Sequence, residues 1–350
     1  MKAFYTHMSK RDREEKEHIQ KHGHTRQDIG IRGFHGYDFV ASGGSMVFGK
    51  SWKCYSDFLI DFMPNVVGKD WGREEFKKPI EDQHPIIQFF SLASEAKKSQ
   101  KPNAEGLYEA TAPMAAYLNI AYHLHLVKNN GRLDEELLRR LKHPDLFQGA
   151  RHELFAEATC LRGGFSIVHE NERDGNTKHA EFVAIHKETK EKISVEAKSR
   201  HRPGVLGQAG DIQPDEEMSL RFGGLLNEAI AKKPPHPFVV FLDTNLPPAA
   251  AKRFYEPQSS VPLLPPKLMV NLLQKIRKEH GGKDPINLVV FTNHPHHYAK
   301  PTDSDPQKNL AYVLSQVPTQ PTTNQQTLFS LYDAANKYGS IPKELPDTAK

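Results

Sequence analysis

Two short runs of unbroken apolar side chains, Pro237–Asp243 (PFVVFLD) and Ile286–Asn293 (INLVVFTN), constrain this chain more than any other feature. A strand with one face in water alternates apolar and polar residues. A run that is apolar at nearly every position must be covered on both faces. Between the two runs lie a Pro-rich loop and a helical pattern from Pro266 to His280. Two buried strands joined through a helix belong to an α/β sheet with helices packed on it.

The chain upstream extends the pattern. Gln148 to Phe165 reads as an amphipathic helix stopped by Gly163-Gly164. FSIVHE, HAEFVAIH and ISVEAKSR then read as strands, separated by turns at Asp174-Gly175-Asn176 and KETKEK. After a loop from Pro203 to Pro214, a helix is expected over Glu216–Lys232. The order is helix, three strands, helix, strand, helix, strand, which predicts a mixed sheet flanked by helices over residues 146–300. Residues 1–145 read as a mainly helical region of unknown role, with helices at Ile86–Lys98, after Pro113 and at Leu133–Leu141. Ser9–Gln20 reads as a solvated arm, with an exposed helix as the alternative. Ser42-Gly43-Gly44-Ser45 reads as a turn, because it lacks the Lys-Ser/Thr of a phosphate loop. Residues 301–350, rich in Pro, Thr and Gln, read as a polar surface extension with a short helix near Leu328–Lys337.

Composition removes several alternatives. Two cysteines, Cys54 and Cys160, exclude a disulfide framework and a four-Cys zinc site and suit a reducing cytoplasm. A charged N-terminus and no long apolar run predict neither a signal peptide nor a membrane span. The net charge of +4 permits phosphate contact without demanding it.

The chemistry concentrates in ISVEAKSR. Period-two alternation puts Ser194, Glu196 and Lys198 on one face and Ile193, Val195 and Ala197 on the other. Glu181 lies on the preceding strand, across a hairpin, within reach of that face. Glu181, Glu196 and the Ala197 carbonyl are hard oxygen donors of the kind that hold Mg²⁺, and Lys198 could serve a water or a phosphate oxygen. Glu153 and Glu157 lie one turn apart on the helix.

A helix with Glu, a Gly-Phe exit (Gly164-Phe165), an acidic residue on the second strand and Glu-x-Lys on the third resemble the PD-(D/E)xK superfamily, which includes restriction endonucleases and Holliday-junction resolvases. The resemblance covers roughly Leu146 to Asn293 and departs from the name-giving motif at Ala180-Glu181. It implies a restriction endonuclease-like domain and a Mg²⁺-dependent endonuclease, with Mn²⁺ as a substitute metal and DNA as the expected substrate. Glu181, Glu196 and Ala197 then hold metal, Lys198 serves the water, and Glu153 supports the site. Arg200 and Arg202 become phosphate contacts, or else a solvated basic turn. The roles it allows are restriction, defence, repair or mobile-element processing, with a second copy or a partner subunit where both strands are cut. The alternative is an inactive nuclease-like module that binds nucleic acid or a partner protein.

Other residues receive structural readings. Glu157 is expected on a charged helix face with Arg151 and His152. His123 and His125 are expected on another helix face, and Cys160 in packing. His294, His296 and His297 are expected as chance loop histidines, and Asp243 as a supporting group or a helix cap.

Overall fold

The computed structural model describes residues 2–169, 180–200, 215–245, 267–294, 297, 310–315, 323–338 and 340–347. The two apolar runs are strands β7 (Phe238–Asp243) and β8 (Leu288–Asn293), buried at every position. They lie in a six-stranded sheet of order β4-β5-β6-β7-β8-β9, with β4 at Phe165–His169, β5 at Phe182–His186, β6 at Lys192–Ser199 and β9 at Leu310–Ser315. β4, β5 and β6 form an antiparallel meander; β6, β7 and β8 are parallel; β9 closes the edge antiparallel to β8.

Alternation within the apolar runs explains their burial on both faces. Phe238, Val240 and Leu242 pack with Val289 and Phe291 under helices α8 (Asp215–Ile230) and α9 (Lys267–Glu279), through Phe222, Leu226, Met269 and Leu272. Val239 and Phe241 face the other way, with Leu288 and Val290, against Phe155, Ala156 and Cys160 of helix α7 (Phe147–Arg162). Helix α10 (Gln325–Lys337) joins that layer through Leu331. The tail read as a surface extension therefore adds an edge strand and a packed helix to the domain. Its pattern is weak because one strand and one helix face suffice to seal an edge.

The first 145 residues are not only helical. Helix α1 spans Lys2–His22, where an arm was expected. A three-stranded antiparallel sheet follows: β1 (Gly30–Phe34), β2 (Tyr37–Ser42) and β3 (Ser45–Gly49). The β2–β3 turn is Gly43-Gly44 with φ of 54° and 77°, the two positive values that a two-residue hairpin needs. Helices α2 (Tyr55–Val67), α3 (Lys69–Phe76), α4 (Pro85–Lys97), α5 (Ala112–Asn130) and α6 (Glu135–Leu141) complete the region.

Helix α7 joins the two halves. Its Ala150, Leu154, Ala158 and Leu161 belong to the core of α2 and α5, while Phe155, Ala156 and Cys160 belong to the core under the sheet. Apart from Gly149, every residue from Phe147 to Arg162 is buried. The expected amphipathic helix with one wet face is thus covered on all sides, and its polar residues are interior groups.

Candidate functional site

A helix buried on all sides that still carries Gln148, Arg151, His152, Glu153, Glu157 and Arg162 must satisfy those groups internally. Most of them gather in two places, one beside β5 and β6, the other at the ends of β7 and β8, while Arg162 lies over the Tyr122 ring of α5.

The first lies where β5 and β6 part. The last registered pair at this end is Phe182 with Val195. One step further, the antiparallel register sets Glu181 opposite Glu196. Both carboxylates reach the same cation, Lys232, just past the end of α8. Its Nζ lies 2.7 Å from Glu196 Oε1 and 3.7 Å from Glu181 Oε1, and it donates a hydrogen bond to Glu196 Oε2 at 2.9 Å. Lys198 Nζ stands 3.3 Å from Glu196 Oε1 and 3.8 Å from Glu228 Oε2. The Glu196 side chain is fully buried, whereas Glu181 is 19 % exposed and Lys198 and Lys232 are each 21 % exposed. The sheet thus presents two carboxylates and two ammonium groups at one point that solvent still reaches.

Burial, then repulsion from Glu181, raises the Glu196 pKa against the pull of the two lysines. Lys232 is held above its ordinary value: burial opposes its charge, but Glu196 and Glu181 outweigh it. The Ala197 carbonyl is aimed at the same gap. The Ser194 and Arg200 N–H groups donate across to β7, at Pro237 O and Asp243 O, so the odd-numbered residues between them turn their backbone toward β5, which has ended.

The remaining expected residues divide. Glu153 approaches the cluster closely enough to raise the Lys232 pKa, but its Oε2 is 2.7 Å from Arg140 of α6. Glu157, expected on a wet face, is wholly buried, with neither oxygen in a hydrogen bond and His169 Nε2 at 3.6 Å. Burial and the neighbouring Glu153 raise its pKa well above the ordinary carboxylate range. Arg200 is 5 % exposed, its carbonyl accepting a bond from Asn245, so its side chain is interior. Arg202 lies outside the described residues, as does His296.

The second place was not found by sequence reasoning. His152 of α7, Asp243 at the end of β7 and His294 just past β8 are all buried, and their potential ligand atoms lie within 4.8 Å of one another. Among the described residues this is the group whose spacing suits a metal ion; Glu153, Glu181 and Glu196 form no such group. His294 also packs edge-on against Phe155, with centroids 4.8 Å apart. The sequence signal was faint, since three residues from three separate elements share no spacing. Lys232 and Arg140 were missed for the same reason.

A third polar cluster is structural. His125 bridges Ser42 Oγ at 2.9 Å and Asp28 Oδ1 at 2.8 Å, and Tyr55 donates to the same Asp28. Ser, His and Asp in a row suggest a nucleophile, but Ser42 and the His125 side chain are wholly buried. The cluster ties β2, α2 and α5 together instead.

Compared with family models, curated proteins and solved structures, the chain matches none. Among the described residues no helix is long and apolar enough to cross a membrane.

Proposed function

We propose that the chain is a metal-dependent nuclease of the PD-(D/E)xK kind, cutting phosphodiester bonds, with DNA as its substrate, at the point where Glu181, Glu196 and Lys198 meet. The observation that carries this reading is that Glu181 and Glu196, from neighbouring strands, share one cation, with Lys198 beside them. The order α7-β4-β5-β6-α8-β7, with β6 parallel to β7, supports it, because it is the order the motif resemblance implies.

The residues fit Mg²⁺. Glu196 Oε1 is buried and lacks an aligned hydrogen bond, although two ammonium nitrogens crowd it. Glu181 and the Ala197 carbonyl add oxygen donors on the same side. When bound there, the metal would lower the pKa of a water and offset charge on the phosphate. Lys198, about one-fifth exposed, can donate to the attacking water or to a phosphate oxygen. Glu153, held by Arg140, keeps negative potential behind the cluster and so favours a cation in it.

One observation favours the inactive module. Lys232 already sits between the two carboxylates, so the cluster is neutralised without a metal. Incubating the full chain with supercoiled plasmid and with single-stranded DNA, in Mg²⁺, Mn²⁺ or EDTA, separates the readings. Cutting in either metal that EDTA abolishes supports the nuclease. DNA binding by the folded protein without cutting in any condition supports the module.

A further inference from the structure

We propose that His152, Asp243 and His294 bind one divalent transition-metal ion of the zinc class, locking α7 to the ends of β7 and β8. This rests on the second polar cluster alone and stands whether or not the chain is a nuclease.

The donor set decides the class of ion. Two imidazoles and one carboxylate suit zinc and its neighbours, whereas Mg²⁺ and Ca²⁺ prefer oxygen donors. Tetrahedral zinc with donors at about 2.0–2.1 Å needs them roughly 3.4 Å apart. Small side-chain rotations supply that from separations no larger than 4.8 Å. Placement agrees as well. Asp243 and His294 stand at the carboxyl ends of two adjacent parallel strands, where open α/β sheets gather their ligands.

Two features set this cluster apart from ordinary core packing. His152 is completely buried, and neither ring nitrogen makes an aligned hydrogen bond. An imidazole so placed is costly to leave unsatisfied, and a bound cation would take up one of its two nitrogens. Arg151 donates to Asp243 Oδ2, while among the described residues Oδ1 takes a longer bond from the Asn245 N–H at 3.3 Å and keeps lone pairs for a metal.

The test loads the chelator-stripped full chain with Zn²⁺, removes excess by gel filtration and counts metal by mass spectrometry, beside His152→Ala and His294→Gln. With 19 histidines in the chain, surface sites will hold some zinc, so the readout is the difference between proteins. The expected result is one equivalent more in the wild type than in either histidine variant. Zinc should also raise the wild-type Tm by several degrees and leave that of His294→Gln unmoved. Far-UV circular dichroism checks that the variants fold. Should both unfold, Co²⁺ loaded into the wild type still decides, because imidazole ligation in a four-coordinate site gives visible absorption bands. Equal metal in folded wild type and folded histidine variants, or a wild type with no tightly held Zn²⁺ and no Co²⁺ bands, overturns the proposal.

Discussion

Burial shifts the protonation of several single residues. His84 caps α4 by accepting from the Ile86 N–H at its Nδ1, sandwiched edge-on between Trp71 and Phe147. Burial, only partly opposed by Glu75, lowers its pKa to about 4 from 6.5. The unfolded chain therefore binds this proton at a higher pH than the folded one. Stability is full above 6.5 and falls as the pH drops toward 4, by at most about 1.4 kcal/mol per pH unit. His84→Asn keeps a capping oxygen and should flatten that part of the pH–stability curve in urea titrations. An unchanged acid slope would remove His84 from the explanation.

Glu196 shifts the other way. Its raised pKa means that, at Mg²⁺ well below saturation, the acid limb of any Mg²⁺-dependent cleavage should lie above the ordinary carboxylate range and move to lower pH as Mg²⁺ is added, because only the ionised form ligates. An acid limb that does not move with Mg²⁺ would argue against Glu196 as a ligand. On the proposed reading, Lys232, already paired with both carboxylates, would compete with the metal for them. Lys232→Met should therefore lower the Mg²⁺ concentration for half-maximal cleavage; a higher requirement would make Lys232 part of the binding site.

At the scale of elements, α7 carries the account. Glu157 keeps its proton in the folded state, while the unfolded chain loses it in the ordinary range, so folding stability drains as pH rises through and above that range. Glu157→Gln, which does not titrate, should match the wild type near pH 5 and exceed its Tm at pH 8. A loss of several degrees at pH 8 would mean that the ionised carboxylate is needed. The tail helix α10 is testable in the same way. Leu331 is fully buried against the α7 layer, so Leu331→Ala should cost roughly 2–5 kcal/mol in denaturant unfolding. A cost below about 0.5 kcal/mol would mark it as a surface element after all.

These elements also show what the sequence made legible. β6, β7, β8 and α7 were each predicted within a few residues, because unbroken or alternating apolar runs declare a strand and Gly163-Gly164 declares a helix end. That Glu181, Glu196 and Lys198 come together was legible because two strands in register bring them close by local geometry. Lys232, Arg140 and the His152–Asp243–His294 group were not, because tertiary packing alone joins them. The burial of α7 was hidden for the same reason. Its polar residues read in sequence as a wet face, and only packing on both sides of the helix, by the sheet and by the N-terminal helices, makes them interior.

At the scale of the molecule, the layers run from α8 and α9 through the sheet to α7 and α10, and from α7 into the N-terminal core. This arrangement gives the N-terminal region a structural task, since it covers the helix that carries Glu153. It also leaves the Glu181–Glu196–Lys198 cluster as a point where partly exposed charge meets a buried carboxylate. The most direct measurement is the rate of DNA cleavage in Mg²⁺ by Lys198→Ala beside the wild type, with DNA binding measured separately on both. Lys198 is not in a core, so the variant should fold. The account predicts cleavage by the wild type and a loss of at least about 10²-fold in the variant, with DNA binding kept. Equal rates, or a wild type that binds DNA and never cuts it, would contradict the account.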